Sequence, residues 1–377
     1  MRHHRNKTDF DFIEKPVEFN KNTEKTLLQY CLGATLYMPA TRDFSQALMQ
    51  NKLPGLTSMV MCFEDAIKEE DLLSAQENAL AFLNKTTKAL DSNRISLNDL
   101  PLIFFRVRSP EQFRMISSNL SREHYKVIAG FVFPKFGTEN GAEYFAHLLE
   151  LNDSTGQTIY GMPILEGREI AFKETRLREL EGTKIIVDSY KDLVLNVRVG
   201  ATDLSSCFGV RRGINYSIYD ILTVRECLGD ILNLFGRDND YVVSGPVWEY
   251  FLANKTMKFS KIDDDSFHNS LLKRTPIIDD AADGLLREVI LDKANGFIGK
   301  TIIHPTHIAY VNALQAVIKE EYEDALQIIS TAGGVIKSKK ANKMNEIKPH
   351  TSWAEKVLMR AKAYGVVEDE ASYFKLF

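Results

Sequence analysis

The sequence predicts an α/β protein folded as a (β/α)8 barrel, the TIM-barrel architecture, with a helical arm at its C-terminal end. Short apolar runs alternate with amphipathic segments through most of the 377 residues, a pattern typical of repeated strand and helix units. Charged residues follow five consecutive apolar runs, at spacings of 42, 29, 31 and 37 positions. Each spacing accommodates one strand, one helix and their loops. The five residues are Glu64, Arg106, Lys135, Glu166 and Asp203.

A closed barrel explains these charges better than an open, doubly wound sheet. An open sheet places its ligand at one switch point, whereas a barrel directs every strand end toward one central mouth. The sequence also lacks a GxGxxG or GxxxxGK[ST] loop, so no motif supports a nucleotide-binding sheet.

The first half of the chain contains four predicted strands. GATLYMPA has strand length, and the helix DFSQALMQNKLPG after it stops at a Pro-Gly pair. SMVMCFEDAI is the second strand, and the amphipathic segment from Glu69 to Leu90 follows it. PLIFFRVRSP and VIAGFVFPKFG are the third and fourth strands, and the helix NGAEYFAHLLEL leads into the fifth.

The second half supplies the other four strands. IYGMPILE and DLVLNVRVGATDL flank the helix REIAFKETRLRELEG, and the loop SSCFGVRRGINYS precedes a helix containing Val224 to Phe235. DYVVSGPVWEYF is the seventh strand, and DGLLREVILDKAN is the helix before the eighth. GFIGKTIIHPTHIAYV provides the eighth strand and begins the last barrel helix.

These elements predict three regions. Residues 1–32 form an N-terminal arm and helix, and residues 33–325 form the barrel, with a polar insertion at about 253–283 that contains the run IDDDSF. Residues 326–377 form a basic linker, KSKKANK, and a helical arm.

Composition excludes several classes of protein. The 47 basic and 51 acidic residues give a net charge of -4, which argues against a nucleic-acid partner. The four cysteines show no metal-binding or disulfide spacing. No signal peptide or apolar run of roughly 18 residues is present, so we expect a cytoplasmic protein without a membrane span.

The strongest candidate site lies on the fifth and sixth strands. The runs IYGMPILE and DLVLNVRVGATDL end on Glu166 and Asp203, with a helix between them. A right-handed βαβ connection makes the two strands parallel, so both carboxylates lie at the same edge of the sheet. Two carboxylates suit a hard cation such as Mg²⁺, with Mn²⁺ as an alternative.

Basic residues at the other strand ends suggest which kind of ligand would bind at the metal. Arg106, Lys135 and Arg42 would surround the metal and attract a small carboxylate, or a carbonyl on which negative charge develops. Breaking a carbon-carbon bond beside a carbonyl leaves an enolate, which Mg²⁺ and a guanidinium stabilise.

Several of these residues have a structural alternative. A single acid at a strand end, such as Glu166 or Asp203, is more often a solvated charge at a helix N-terminus, and the same alternative stays open for Glu64 and Asp65. His304 fits a hydrogen-bonded residue that orders the last loop better than a catalytic one. Residues 211 and 212, both arginines, fit either a solvated loop or a clamp for an anionic substrate.

Seven segments, in order from Gly33 to Leu314, resemble the HpcH/HpaI aldolase and citrate lyase β-subunit family of C-C bond lyases. The resembling pairs are YMPATR with FVPGSR, CFEDAI with DLEDAV, FRVR with VRVN, FPKF with LPKV, PILEGREIAF with PIIETAXGV, VGATDLS with FGTADLA, and GFIGKTIIHPTHIAYVN with GFXGKXXIHPXQIXXVN.

The resemblance implies a (β/α)8 barrel that uses Mg²⁺ in aldol or Claisen chemistry on a 2-oxo acid or an acyl thioester such as a coenzyme A thioester. It also implies a homo-oligomer, either a trimer or a hexamer. The tail NKMNEIKPHTSWA is similar to that of a branch encoded beside tellurite-resistance and stress-response genes.

The resemblance also implies roles for individual residues. Glu166 and Asp203 would bind the metal, and Arg106 would stabilise the enolate. Glu64 and Asp65 are further catalytic candidates, and Glu346, with His350 as its rival, stands where the family places an acid or base over a neighbouring subunit's site. The substrate-binding residues implied by the motifs are Arg42, Lys135, Arg106, Gly200, Ala201 and Thr202.

This sequence departs from the family at two places. Cys62 replaces the first Asp of the DLEDA motif, and the segment from Ser244 to Trp248 replaces a seventh strand that ends in an aspartate. The second departure favours a free acid over a coenzyme A thioester. Alternatives to the lyase are a thioester hydrolase, a phosphoenolpyruvate-type enzyme, and a non-catalytic barrel that serves as a binding or scaffold protein.

Overall fold

A computed structural model describes residues 1–50, 52–251 and 277–377. The IDDDSF run and most of the predicted insertion at about 253–283 lie outside these residues. Among the helices described, none combines the length and the apolar character that crossing a membrane requires.

Eight parallel strands form the centre of the molecule, and each falls within a predicted apolar run. They are β1 Ala34–Pro39, β2 Ser58–Cys62, β3 Leu102–Arg106, β4 Ile128–Phe133, β5 Tyr160–Leu165, β6 Val197–Val199, β7 Val243–Ser244 and β8 Lys300–Ile302.

The strands close into a barrel. Their order in the sheet is β7-β6-β5-β4-β3-β2-β1-β8, so sequential strands are neighbours. Between β7 and β8, Ile298 donates its backbone N–H to Val243 O at 2.9 Å, and Gly245 donates to Gly299 O at 3.1 Å. A parallel bridge between Gly245 and Lys300 completes this seam. The predicted (β/α)8 fold is therefore confirmed.

Helices follow the strands. They are α1 Lys25–Leu28, α2 Ser45–Met49, α3 Leu72–Asp91, α4 Pro110–Ser118, α5 Gly141–Thr155, α6 Arg168–Ala171, α7 Lys173–Ser189, α8 Ala201–Ser206, α9 Leu222–Ile231, α10 Asp280–Ala294, α11 His307–Gln315, α12 Lys319–Ser330, α13 Ile347–Tyr364 and α14 Tyr373–Leu376. The helix α12 runs across the predicted domain boundary between residues 325 and 326.

Local sequence explains several helix ends. Ser109 accepts a hydrogen bond from Gln112 N at the start of α4, where Pro110 is the first helical residue. Asp279 caps α10 in the same way. Gly156 ends α5 in the left-handed region, with φ +64, a conformation that glycine adopts at little cost.

The basic segment KSKKANK is not an irregular linker. It forms the turn of a hairpin between β10 Val335–Lys337 and β11 Met344–Glu346. Lys343 pairs with Asp324 on α12 at 2.6 Å, and Lys340 pairs with Glu320 at 2.9 Å. The lysines therefore hold the hairpin to a neighbouring helix, and α13 follows directly.

The N-terminal arm packs against the tail. A short pair of strands, β9 Val317–Ile318 and β12 Val366–Val367, is extended by a bridge from Glu14 to Val366. His3 is fully buried, with its ring 4.3 Å from that of Tyr364. The two ends of the described chain therefore support each other.

Candidate active site

A cavity of about 510 Å³ opens where the barrel strands end. This is the end of a (β/α)8 barrel at which active sites lie. Its wall combines an apolar part with a polar part that contains most of the predicted site residues. The polar part consists of Tyr37, Arg42, Cys62, Asp65, Arg106, Glu166, Arg198, Thr202, Asp203 and Thr301.

Arg106, at the end of β3, connects three acids. Its Nη2 atom lies 2.9 Å from Glu64 Oε2, 3.2 Å from Asp65 Oδ2 and 3.1 Å from Glu166 Oε1. The Arg106 side chain is only 10% exposed, so its ion pairs with Glu64 and Glu166 are largely shielded from water. Burial would lower the pKa of Arg106, but Glu166 and Cys62 outweigh it and raise the pKa.

The loop after β2 presents Glu64 and Asp65 in different surroundings. Glu64 is nearly buried, whereas the Asp65 side chain is half-exposed at the mouth of the cavity. Burial and a hydrogen bond with Asp65 raise the pKa of Glu64. Hydrogen bonding with Glu64 and the charge of Arg106 outweigh burial and lower the pKa of Asp65. The pair therefore combines a carboxyl that holds its proton more tightly with one that stays ionised.

Arg108 positions this loop, a role that the sequence did not single out. Its guanidinium donates to the backbone oxygens of Phe63, at 2.6 Å, and Ile67. These carbonyls flank Glu64 and Asp65, so Arg108 fixes the backbone that carries both acids.

Lys135, after β4, reaches the same group of charges. Its Nζ lies 2.7 Å from Glu64 Oε1, and its backbone N–H donates to Glu166 Oε1 at 3.0 Å. The residue adopts φ +46, an uncommon conformation for a side chain of this size. With this backbone geometry the N–H group of Lys135 points at Glu166, and its side-chain ammonium reaches Glu64.

Glu166 lies deepest among the acids. It is 4% exposed, and burial raises its pKa to about 7, with Arg106 opposing the shift and Asp203 adding to it. Asp203, in the first turn of α8, has a pKa raised by burial and by the charge of Asp65. The structure thus brings together the two carboxylates predicted to share a cation.

These carboxylates fit a hard divalent cation. Burial makes their anionic forms costly, and a cation between them would offset that cost. Mg²⁺ takes one or two carboxylates and keeps several waters. Nowhere in the described ranges do three or more His, Cys, Asp or Glu side chains form a group that could hold a metal.

The predicted substrate-binding residues lie around this pair. Gly200 and Thr202 line the cavity beside Asp203, whereas Ala201 is buried behind them. Arg42 is exposed at the rim of the cavity.

Two predicted candidates lie elsewhere in the subunit. Glu346 is exposed at the end of β11, and its backbone N–H donates to His350 Nδ1 at 3.1 Å. Neither residue belongs to the described part of the cavity wall. Sequence order could not reveal this, because the hairpin and α13 pack on α12 and not over the barrel mouth.

The two arginines of the loop after α8, Arg211 and Arg212, lie in different surroundings. Arg212 is buried, with its guanidinium bound to Glu288, Glu249 and Val247 O, so it anchors the loop and is not available as a substrate clamp. Arg211 is exposed.

His304 bonds to Thr306 Oγ1 at 2.8 Å, as expected of a residue that orders the last loop.

Two cavity residues were missed by sequence reasoning. Tyr37 lies within β1 and Arg198 within β6, and both line the cavity. Arg198 is buried, whereas Tyr37 is partly exposed and has a buried hydroxyl. The available signal was the charge of Arg198 inside an otherwise apolar run, VLNVRVG.

Comparisons with known proteins agree with this geometry. The family model of C-C bond lyases of the TIM-barrel fold matches residues 26–366. The CitE protein of Mycobacterium tuberculosis, solved with magnesium, acetoacetate and coenzyme A, is similar in fold: the TM-score is 0.50 at 16% identity, over 88% of this chain and 99% of that one.

Two further structures are less similar. RipC from Yersinia pestis has a TM-score of 0.48 at 15% identity, over 76% of this chain and 95% of its own. The citrate lyase β subunit of M. tuberculosis, solved with oxaloacetate and magnesium, has a TM-score of 0.42 at 17% identity, over 75% and 96% of the two chains. Comparison with curated protein sequences finds no match.

The family match covers most of the chain, including all eight strands and both metal-ligand candidates. It confirms the resemblance to citrate lyase β-like enzymes. The chain therefore belongs to the C-C bond lyases of the TIM-barrel fold, and it is a carbon-carbon bond lyase.

Proposed function

We propose that the enzyme is Mg²⁺-dependent and makes or breaks a carbon-carbon bond beside the carbonyl of a small 2-oxo acid or an acyl thioester. The observation that carries the proposal is the contact of Arg106 with Glu64, Asp65 and Glu166. Arg106, Asp65 and Glu166 line one cavity. An arginine held among several acids at a cavity suits a reaction that develops negative charge on oxygen.

Glu166 and Asp203 would hold the metal, with Mn²⁺ as a substitute for Mg²⁺. The bound ion supplies a Lewis acid that polarises the substrate carbonyl. Arg106 donates a hydrogen bond to the oxygen that becomes an enolate, and Glu64 and Asp65 keep its guanidinium oriented. Lys135 and Arg42 attract the substrate carboxylate.

The substrate class is limited by the size and lining of the cavity. About 510 Å³ holds a small acid together with part of a larger carrier. Backbone atoms of Gly200 and Thr202 would contact the acid beside Asp203. A coenzyme A thioester is the larger alternative, and the magnesium, acetoacetate and coenzyme A bound by CitE of M. tuberculosis support its inclusion in the test.

We also propose a homo-oligomer, a trimer or a hexamer. In such an assembly Glu346 or His350 of one subunit would serve the cavity of another, because each lies outside its own cavity. The similarity of the tail to the tellurite-associated branch stays a prediction.

Product analysis tests the proposed reaction. The enzyme would be incubated with pyruvate, oxaloacetate and acetyl coenzyme A, singly and in pairs, with Mg²⁺ or with EDTA. We expect a condensation or cleavage product that requires Mg²⁺ and is lost in Arg106→Lys. Release of free coenzyme A alone would indicate a thioester hydrolase. A product formed only when phosphoenolpyruvate is added would indicate a phosphoenolpyruvate-type enzyme, and no product with any substrate would favour a binding protein.

A further inference from the structure

Arg198 places a positive charge inside the barrel below the proposed metal position. It lies in the middle of β6, is 1% exposed and forms part of the cavity wall. Barrel interiors are normally filled by apolar side chains, so a guanidinium at this depth requires an explanation.

The Arg198 guanidinium forms few good hydrogen bonds within the protein. Nη2 donates to Thr301 Oγ1 at 2.6 Å, whereas Nη1 has only long contacts, 3.4 Å to Thr35 Oγ1 and 3.5 Å to Asn196 Oδ1. Nε has no hydrogen-bond partner in the part of the chain that the structure describes. Because a guanidinium carries five N–H donors, part of its bonding capacity is left for another group.

No carboxylate of the described residues pairs with Arg198. Three other buried arginines do have such partners: Arg106 contacts Glu64 and Glu166, Arg176 contacts Asp230, and Arg212 contacts Glu288. Buried charges are normally paired, since an unpaired one is costly. Burial accordingly lowers the pKa of Arg198.

Tyr37 adds a second unsatisfied group beside it. Among the described residues, the buried Tyr37 hydroxyl has no hydrogen-bond partner at normal distance. It lies near enough to Arg198 to oppose part of the effect of burial on the pKa of Arg198, and the Tyr37 ring centre lies 5.5 Å from the Arg198 guanidinium carbon. Both side chains line the cavity. The Tyr37 hydroxyl and the Arg198 guanidinium form a polar subsite on one wall. This subsite is separate from the Arg106 cluster, which consists of Arg106, Glu64, Asp65 and Glu166.

We propose that Arg198 and Tyr37 bind a second carboxylate of the substrate, so that the enzyme acts on dianionic oxo acids. A carboxylate matches the planar fork of arginine and would supply the missing counter-charge. This inference rests on the proposed function for the position of the first carboxylate and the carbonyl. Arg198 would then determine specificity without taking part in bond cleavage.

Matched ligand pairs test the inference. Calorimetry would compare oxaloacetate with 2-oxobutyrate, and 2-oxoglutarate with 2-oxopentanoate, because the members of each pair differ mainly in one terminal carboxylate. In the wild-type enzyme we expect the dianion to bind at least tenfold more tightly in one pair. In Arg198→Gln that preference should fall to about onefold, while the affinity for the monoanion stays within about twofold.

Two variants serve as checks. Arg114→Gln removes an exposed arginine on α4 and should leave the preference unchanged. Tyr37→Phe keeps the ring and the charge of Arg198 and should reduce the preference several-fold, which tests the subsite even if Arg198→Gln folds poorly. A wild-type preference near onefold in both pairs, or a preference that survives in both Arg198→Gln and Tyr37→Phe, would overturn the inference.

A separate titration of the wild-type enzyme with Mg²⁺ distinguishes this inference from the proposed function. A preference that depends on Arg198 without any Mg²⁺ binding would support the carboxylate subsite while contradicting the metal-dependent lyase. Mg²⁺ binding without any preference for the dianion would support the metal-dependent lyase and contradict the carboxylate subsite.

Discussion

Gly200 packs directly against the carboxylate of Glu166. A Cβ atom at position 200 would overlap with Oε2 of Glu166 and crowd its Cβ and Cδ atoms. Because Glu166 is buried, its side chain has little space into which it can move. The glycine therefore sets the position of the deepest acid in the cavity.

Gly200→Ala should displace Glu166. We expect Mg²⁺ affinity to fall at least tenfold and the free energy of unfolding to fall by about 1 to 3 kcal/mol, the usual cost of overpacking. Calorimetric titration and urea unfolding would measure these two effects.

Gly229→Ala is the matched control, since a Cβ at this position on α9 has open space around it. It should leave Mg²⁺ affinity unchanged and stabilise the helix by about 0.5 to 1 kcal/mol. Equal Mg²⁺ affinities in the two variants would contradict the role given to Gly200.

Arg106 should be important for stability as well as for catalysis. Removing one partner of a buried ion pair typically costs about 3 to 5 kcal/mol, because the remaining charges lose their compensation. Arg106→Gln leaves Glu64 and Glu166 without their compensating charge. Urea unfolding at neutral pH should therefore show that the free energy of unfolding falls by this amount.

An exposed ion pair provides the comparison. The side chain of Arg114 is about half-exposed where it pairs with Glu143, and such pairs contribute about 1 kcal/mol or less. If Arg106→Gln were no more destabilising than Arg114→Gln, the Arg106 cluster would not be the tightly coupled group described above.

The N-terminal arm should be sensitive to acid. Burial lowers the pKa of His3 to about 3, below its ordinary value of 6.5, and His4 is shifted in the same direction. The unfolded chain therefore binds protons at a higher pH than the folded one. The stability contributed by neutral His3 is fully present above about pH 6.5 and is lost progressively as the pH falls toward 3.

At pH 4.5 this effect is on the order of 2 to 3 kcal/mol for His3. Thermal unfolding between pH 7 and pH 4.5 should show a weaker pH dependence in His3→Gln than in the wild-type protein. His350→Gln, at the start of α13, should keep the wild-type slope. Identical slopes in all three proteins would refute the prediction.

The sequence allowed the barrel to be predicted because each strand falls within an apolar run and five consecutive runs are followed by a charged residue. The length of β7 was less predictable: DYVVSGPVWEYF contains only two strand residues, Val243 and Ser244. Gly245 is followed by Pro246, and proline cannot donate a ladder hydrogen bond. Contacts such as Gly245 N to Gly299 O nevertheless close the barrel.

Residues that line the cavity could be predicted from the sequence where one strand end supplies one residue. Arg106, Glu166 and Asp203 could be identified in this way. Arg198 could not, because its partners Thr35 and Thr301 come from β1 and β8, far away in sequence. Residues inside a strand become neighbours only when the barrel closes.

Magnesium titration tests the central claim most directly. Calorimetry would compare the wild-type enzyme with Glu166→Gln, Asp203→Asn and the surface control Glu143→Gln, after thermal unfolding has shown that all four are folded. We predict that the wild-type enzyme and Glu143→Gln bind Mg²⁺ equally and that each of the other two variants loses at least tenfold in affinity. Unchanged Mg²⁺ affinity in both Glu166→Gln and Asp203→Asn would contradict the proposed metal site.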